Sequence, residues 1–212
     1  MTVLRVDASI QGDRSASSAL ADLVLEHFTA ARPDEQVVRR HLGAEPLPST
    51  AWPLAVAGNF TPEEQRTEEQ RAAVGLARTL ADELRGADAA VLALPLYNWG
   101  VSQHVKAWFD LAIAGAEHGA RLLDGTPVVA LVTRGGSYAP GTPKEGWDHS
   151  TDYLRRVLVD VWGADLTLVE RELTLAGVNP AMDELVELGT LMRKTAEEAA
   201  VDAGAALARR AA

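Results

Sequence analysis

Apolar residues along the chain alternate between short runs, in which most positions are apolar, and longer segments in which they recur every three or four positions. Runs at residues 3–8, 88–95 and 127–132 predict strands, and the second run has the apolar character of a strand covered on both faces of a sheet. Residues 36–42 and 165–173 predict two further strands with more polar positions. The pattern therefore predicts five strands.

Helical spacing fills most of the chain between these strands. Thr61 is the predicted N-cap of the second helix, with Pro62 at its first position, and residues 43–62, which contain four prolines, are predicted to be irregular. Five helices are predicted, at residues 15–31, 62–85, 101–112, 152–162 and 180–208. Strands that alternate with helices predict one α/β domain over residues 1–212, with a mostly parallel sheet and helices on both faces.

The composition is that of a globular protein and restricts the possible partners. The chain has 212 residues, a hydrophobic fraction of 47% and a formal net charge of −10, which disfavours binding to nucleic acid or to anionic membranes. It contains no cysteine and no His-Glu-x-x-His pattern, so we expect no disulfide and no metal site. Residues 1–7 do not resemble a signal peptide, and we expect a cytoplasmic protein.

Ligands of parallel sheets bind beyond the carboxyl ends of the strands, which directs attention to three turns on one edge of the sheet. The first turn is residues 9–18, the second turn is residues 95–100, and the third turn is residues 133–138. We refer to this edge as the carboxyl rim. If all three turns carry features that suit the same ligand, one shared binding site explains them better than three independent coincidences.

The first turn combines serine hydroxyls with the start of a helix. Ser9, Ser15 and Ser17 supply hydroxyl groups, and the unpaired amides and dipole of a helix N-terminus favour an anion such as a phosphate. A simple N-cap role for Ser15 or Ser17 explains the serines equally well. The segment lacks both Gly-x-Gly-x-x-Gly and Gly-Lys-Ser/Thr, which disfavours a dinucleotide fingerprint or an NTPase loop.

The second and third turns have features that suit a flat aromatic ligand. The second turn, Pro95-Leu96-Tyr97-Asn98-Trp99-Gly100, offers an apolar and aromatic wall, although Tyr97 and Trp99 in it have an alternative role in covering the core. The third turn begins Thr133-Arg134-Gly135-Gly136, where adjacent glycines allow close approach of the backbone and expose successive amides. An ordinary glycine loop remains the alternative for this turn.

The three turns together resemble those of the FMN-dependent NADH-azoreductases, in the flavodoxin-like NAD(P)H:quinone reductase superfamily. The resemblance extends over nearly the whole chain, and its most specific part is the second turn with the following helix, which contains Lys106 and Phe109-Asp110. It implies a three-layer α/β/α flavodoxin-like fold with a five-stranded parallel sheet in the order 2-1-3-4-5. It also implies a homodimer with flavin sites at the subunit interface.

The resemblance also implies roles for individual residues. The FMN phosphate would be held by Ser9, Ser15, Ala16 and Ser17. The edge of the flavin ring would be lined by the second turn, at Pro95, Leu96, Tyr97, Asn98 and Trp99, and its pyrimidine edge by Thr133, Arg134, Gly135 and Gly136. Tyr138, His118 and His149 are candidate proton donors on the chemistry of their side chains; His118 stands where family members often carry an aromatic residue.

The implied activity is a two-step reaction in which two substrates bind in turn at one flavin. NADH or NADPH would give hydride to FMN, and the reduced flavin would pass it to a small aromatic acceptor such as a quinone or an azo compound. Three alternatives remain at this point: a flavodoxin-like electron carrier, a flavin-free binding domain, and a quinone reductase dedicated to one biosynthetic pathway. The long loops at residues 43–62 and 137–147 argue against the carrier, which needs no acceptor pocket.

Overall fold

The computed structural model describes residues 1–210 and confirms a parallel sheet between two layers of helices. The strands of this part of the chain are β1 (Thr2–Asp7), β2 (Gln36–His41), β3 (Ala89–Tyr97), β4 (Gly100–Val101), β5 (Pro127–Thr133) and β6 (Asp165–Arg171). The parallel strands have the order β2-β1-β3-β5-β6, and the two-residue β4 pairs antiparallel with the end of β3. Numbered along the chain, the parallel strands follow the predicted order 2-1-3-4-5.

The helices cover the two faces of the sheet unequally. They are α1 (Ala16–Ala31), α2 (Ala51–Asn59), α3 (Glu68–Arg85), α4 (Gln103–Gly115), α5 (Thr151–Arg155) and α6 (Val186–Arg210). Helices α1 and α6 pack on one face, and α2 to α5 pack on the other. Among residues 1–210, no helix is both long and apolar enough to cross a membrane.

Burial of both faces explains why β3 and β5 have so few polar positions. Residues 89–96 of β3 are all buried, because this strand lies in the middle of the sheet. Under α4 and α5 the core is aromatic: Trp108 and Phe109 pack edge-on against Trp162, with ring centroids 5.9 and 5.1 Å away. This packing fixes the helix that follows the second turn, and thereby the turn itself.

The segment between β2 and α3 was predicted wrongly. Residues 51–59 form helix α2, although they contain Pro53. Proline is tolerated there because it stands in the first turn of the helix, where backbone amides lack helical acceptors. Helix α3 does not begin at Thr61: its N-cap is Thr67, which forms a reciprocal capping box with Gln70.

Two other predicted helices are divided in the structure. After α5, residues Arg156–Val161 continue as a π-helical turn, and the predicted last helix opens with a 3₁₀ turn at Pro180–Leu185 before α6. Residues 12–14 and 63–65 form further short 3₁₀ turns. None of these changes moves a strand, so the three turns of the carboxyl rim stay where the sequence placed them.

Candidate active site

The three turns lie side by side at the carboxyl rim. They follow β1, β3 and β5, which are consecutive neighbours in the sheet and run in the same direction. The reversal of strand order falls between β1 and β3, which is where open α/β sheets bind ligands. The topology therefore brings the three predicted segments to one place.

The first turn is a buried hydroxyl cluster at the start of α1. Ser15 is the N-cap: its Oγ accepts a hydrogen bond from the Ser18 amide at 3.1 Å and lies 3.2 Å from the Oγ of Ser17. Ser9 is also buried, and its Oγ accepts from the Gln11 amide. Within residues 1–210 the amides of Ala16 and Ser17 have no acceptor, as is usual in the first turn of a helix. The N-cap role and free donors for an anion coexist here.

The second turn is a tight β-hairpin rather than a direct passage from strand to helix. Tyr97 pairs with Gly100 across the turn, and the two residues between them have positive φ angles, 48° at Asn98 and 66° at Trp99. Positive φ at both central positions is the conformation of a type I′ turn. A tryptophan rarely adopts it, and such backbone strain concentrates at functional sites. The hairpin leaves Asn98 and Trp99 exposed, whereas Pro95 and Leu96 are buried.

The hydroxyl of Tyr97 ties the second turn to the first. Its Oη lies 3.2 Å from the Ser9 Oγ and accepts a hydrogen bond from the Ile10 amide, also at 3.2 Å. From the sequence, Tyr97 is predicted to line the edge of a flavin ring. The side chain holds the first and second turns in a fixed relation to each other.

Gly43 supports the first turn from the other side. A Cβ at this position would lie 2.0 Å from the Ser9 carbonyl oxygen, a distance that no real side chain tolerates. Gly43 follows β2, which neighbours β1. The backbone of the loop after β2 is therefore packed directly against the backbone of Ser9.

In the third turn, the side chain of Arg134 is directed into the protein. Arg134 is 6% exposed, and its guanidinium donates to Asp148 at 2.8 Å, to Thr151 at 2.7 Å and to Glu170 at 2.6 Å. Burial would lower the pKa of Arg134, but these acceptors raise it above its ordinary value and keep the guanidinium charged. Because the Arg134 amide also donates to the Arg171 carbonyl oxygen, Arg134 anchors the third turn to the neighbouring strand. The Nη1 of Arg134 makes no hydrogen bond within residues 1–210; it lies 3.8 Å from the Glu172 carboxylate.

The two glycines of the third turn differ in what surrounds them. A Cβ on Gly135 would lie 2.8 Å from the Cδ1 of Leu175, so packing alone accounts for this glycine. Gly136 faces the ammonium group of Lys144, which lies 3.5 Å from the position of such a Cβ. In the described part of the chain, neither amide has an acceptor. Two free donors thus remain on this turn.

The candidate proton donors are placed differently. Tyr138 is the last residue of the third turn; its amide donates to Glu172, and the Lys144 Nζ lies 5.8 Å above its ring. The His149 amide donates to the Trp99 carbonyl oxygen in the second turn. Burial, then the nearby Asp148, raises the pKa of Tyr138, so its hydroxyl stays protonated at neutral pH. His118 lies apart from the three turns: it is exposed and lines a depression of about 340 Å³ with Phe60, Ile113 and Trp162.

A family model described as the flavodoxin-like fold matches residues 1–181. The chain belongs to this flavodoxin-like family. The match agrees with the strand order, and it confirms the family and the fold class that the sequence predicted.

Two proteins similar to this flavodoxin-like chain over nearly their full length share one name. A protein of Frankia alni is 40% identical over 202 residues, which cover 93% of this chain and 95% of the relative. A protein of Parafrankia sp. is 36% identical over 209 residues, covering 96% and 99%. Both are named FMN-dependent NADH:quinone oxidoreductase.

Solved structures of more distant proteins show the same fold. The azoreductase from Bacillus anthracis str. Sterne superposes with a TM-score of 0.78, at 21% identity and with coverage of 97% of this chain and 99% of that one. An FMN-dependent NADH-azoreductase from Bacillus anthracis str. Ames Ancestor, solved in complex with FMN, gives a TM-score of 0.71 at 18% identity, covering 94% and 96%. At these identities the likeness concerns the fold.

Several residues of this flavodoxin-like site were not found from the sequence. Gly43, Asp148 and Glu170 act through partners that are distant along the chain, and no local pattern marks them. The Lys144 ammonium beside Gly136 also comes from the long loop after β5. Only a tertiary structure can place such residues.

Proposed function

We propose that this chain is an FMN-dependent NAD(P)H oxidoreductase that uses quinones, azo compounds or similar small aromatic molecules as acceptors. The observation that carries the proposal is the set of backbone amides without acceptors at the ends of three neighbouring strands. Within residues 1–210 these amides belong to Ala16, Ser17, Asn98, Trp99, Gly135 and Gly136. The names of the relatives support the same activity.

The residues present fit FMN in charge and shape. The first turn offers a helix N-terminus with two free amides, together with the hydroxyls of Ser15 and Ser17, which suits a phosphate. The second turn offers the exposed Asn98 and the ring of Trp99, and the third turn offers the amides of Gly135 and Gly136. Donors at opposite ends of the rim, with an aromatic turn between them, match a ligand with a phosphate at one end and a polar heteroaromatic ring at the other.

When bound, FMN supplies two-electron transfer between a nicotinamide cofactor and an acceptor. The protein's part is to bind, orient and stabilise charge. Amides fixed at Gly135 and Gly136 offer hydrogen bonds to a negatively charged ring edge without reorganisation. Tyr138 holds a proton on Oη at neutral pH and is the candidate donor to an acceptor. Trp99 and Trp147 form an aromatic wall on the open side of the site.

Anaerobic stopped-flow absorbance tests this function directly. FMN-loaded protein is mixed first with NADH and then with benzoquinone, and the flavin absorbance near 450 nm is followed; the expected result is rapid bleaching by NADH and reoxidation by the quinone. A parallel run with NADPH measures the preference between the two donors. Protein that binds FMN but is not bleached by either nucleotide would indicate an electron carrier instead, and protein that binds no flavin would indicate a binding domain of another kind.

Ser17→Ala tests the phosphate site of the first turn. The Ser17 hydroxyl is fully buried, and within residues 1–210 its one hydrogen bond is to the Ser15 hydroxyl, so its loss removes a donor for the phosphate but leaves the cap bond from the Ser18 amide intact. We expect the dissociation constant of FMN to rise about tenfold, as for the loss of one hydrogen bond to a charged group. Riboflavin, which has no phosphate, is the control: its affinity should stay unchanged. Equal FMN affinity in parent and variant would remove Ser17 from the site.

The exposed apolar side chains support a homodimer. Phe60 is 88% exposed and Ile113 46% exposed, and both border the depression that contains His118. Side chains of this kind clustered beside a groove are typical of a protein interface. Sedimentation velocity over a hundredfold concentration range tests the dimer, and a monomer throughout would contradict it.

The proposed use of NADH as the electron donor fits a location in the cytoplasm. Cell fractionation tests this location.

A further inference from the structure

Asp148 is the centre of a hydrogen-bond network behind the third turn. Its Oδ1 accepts from the Ser150 amide at 2.8 Å and from the Thr151 amide at 3.0 Å, and its Oδ2 accepts from the Thr151 hydroxyl at 2.7 Å and the Arg134 Nε at 2.8 Å. These bonds fill both carboxylate oxygens. The Asp148 carboxylate therefore fixes the start of α5 to the buried guanidinium of Arg134.

The residues on either side of Asp148 both contact Trp99 in the second turn. The Trp147 ring packs edge-on against the Trp99 ring, with centroids 5.9 Å apart and an angle of 75° between the planes. The His149 amide donates to the Trp99 carbonyl at 2.9 Å. Three consecutive residues thus connect Arg134 of the third turn with Trp99 of the second.

Trp99 needs such contacts to hold its conformation. Its φ of 66° is unfavourable for a bulky residue, and its side chain is 44% exposed, so the hairpin by itself does little to fix the indole. The ring contact from Trp147 and the hydrogen bond from His149 come from the long loop after β5. That loop has no regular structure of its own up to α5. Its beginning is held by hydrogen bonds from Ser137 and Tyr138 to Glu172, and Asp148 anchors its end to the buried Arg134.

We propose that Asp148 is a positioning residue of the substrate pocket: held by Arg134, it docks Trp147 and His149 onto Trp99, so that the loop and the hairpin form one rigid aromatic wall. The proposal rests on the proposed function, because it takes Trp99 and Trp147 as the wall against which a nicotinamide or quinone ring lies. A wall built from two separate segments keeps its shape only if the segments are joined. The charge of Asp148 provides that join, since a carboxylate accepts from four donors at once.

Asp148→Asn tests the join with little change in size. The substituted amide has one oxygen to accept bonds, and its NH₂ group must face either the guanidinium of Arg134 or the two backbone amides, all of which are donors. The matched control is Glu83→Gln, which weakens the Arg40–Glu83 ion pair between β2 and α3; the Glu83 side chain is 23% exposed against 16% for Asp148. Both variants lose one carboxylate that is paired with an arginine, but only one of them acts on the aromatic wall.

The first readout is hydrogen–deuterium exchange of the flavin-free proteins. In Asp148→Asn the His149 amide should exchange about tenfold faster than in the parent, while Glu83→Gln should leave it unchanged. Because this measurement needs no flavin, it reports on the docking even if the proposed function fails. Unchanged exchange of His149 in Asp148→Asn would overturn the proposal.

The second readout is steady-state kinetics with NADH and benzoquinone. A loosened wall weakens binding of the ground state and of the transition state by the same amount, which raises KM and leaves kcat nearly unchanged. In Asp148→Asn the KM for benzoquinone should therefore rise about tenfold, while kcat changes by less than about threefold. Trp147→Leu, at a half-exposed position that tolerates the change, should reproduce the rise in KM. If the His149 amide exchanged faster in Asp148→Asn but the KM for benzoquinone stayed equal to that of the Glu83→Gln control, the network would only support the fold. That result would also overturn the proposal. Absence of NADH:benzoquinone turnover in the parent protein would instead count against the proposed function.

Discussion

Gly43→Ala is expected to weaken FMN binding at least tenfold and to destabilise the protein. The new Cβ would lie 2.0 Å from the Ser9 carbonyl oxygen and 2.7 Å from its carbon, and both are backbone atoms that cannot rotate away. The first turn must shift to make room, which costs about 1–3 kcal/mol in overpacking and displaces the phosphate donors of Ser15 to Ser17. Quenching of flavin fluorescence measures the affinity, and thermal unfolding of the flavin-free protein measures the stability.

Gly75→Ala is the matched control for this substitution. Gly75 is exposed in the middle of α3, and a Cβ there meets no atom within 4 Å. Alanine should stabilise the helix by about 0.5–1 kcal/mol, because glycine loses more backbone entropy on folding. FMN affinity should not change. If Gly43→Ala kept both the stability and the FMN affinity of the parent, the close approach of Gly43 to Ser9 would have no role in the site.

Asp7→Asn is expected to be the most destabilising polar substitution in the chain. Asp7 ends β1 just before the first turn, and its carboxylate accepts from the Arg5 Nε at 2.7 Å and Nη2 at 3.0 Å. Arg5 is 4% exposed, so loss of the charge leaves a buried guanidinium with Asp22 as its remaining carboxylate. The expected loss in the free energy of unfolding is about 3–5 kcal/mol, as for other broken buried ion pairs. Urea denaturation measures it.

The same ion pair predicts a pH dependence of stability. Burial alone would raise the pKa of Asp7, but hydrogen bonds from Arg5 lower this pKa below its ordinary value. The pair therefore contributes its full stability above the unfolded pKa of about 3.9 and loses it as the pH falls below that value towards the folded pKa. The loss of stability below about pH 4 should be smaller in Asp7→Asn than in the parent.

Asp22→Asn serves as the control on the other partner of Arg5. The Asp22 side chain is 67% exposed, and an exposed ion pair contributes at most about 1 kcal/mol. The two substitutions remove one carboxylate each from the same guanidinium, so the difference between them measures the effect of burial. Equal losses would mean that the Arg5–Asp7 pair is not buried in solution as it is in the structure.

Local patterns predicted the sheet and the three turns because burial leaves a direct trace in the sequence. Strands covered on both faces are apolar along most of their length, which holds for β3 and β5; β1 is apolar apart from Thr2 and the buried ion pair of Arg5 and Asp7. The alternation of strands and helices then implies parallel pairing, and parallel pairing brings the turns to one rim. The strand order itself came from the resemblance to a family, and the structure confirms it.

Where the sequence misled, two local features competed. The prolines of residues 43–62 indicated irregular structure, but Pro53 occupies a first helical turn, where it does no harm. The Thr61-Pro62 pair resembled a helix start, whereas the capping box Thr67-Glu68-Glu69-Gln70, also visible in the sequence, is the one that operates. The hairpin at Asn98 and Trp99 gave no local indication, because type I′ turns usually carry glycine there.

The sequence by itself determined the fold class and the segments that form the carboxyl rim, because these depend on the period of burial and on the chemistry of adjacent residues. Only the tertiary structure decided how the segments are held: Tyr97 against Ser9, Gly43 against Ser9, and Asp148 between Arg134 and Trp99. Such contacts join residues that are 14 to 88 positions apart along the chain or come from neighbouring strands. Their geometry arises from the packing of the sheet and its helices, which no local pattern encodes.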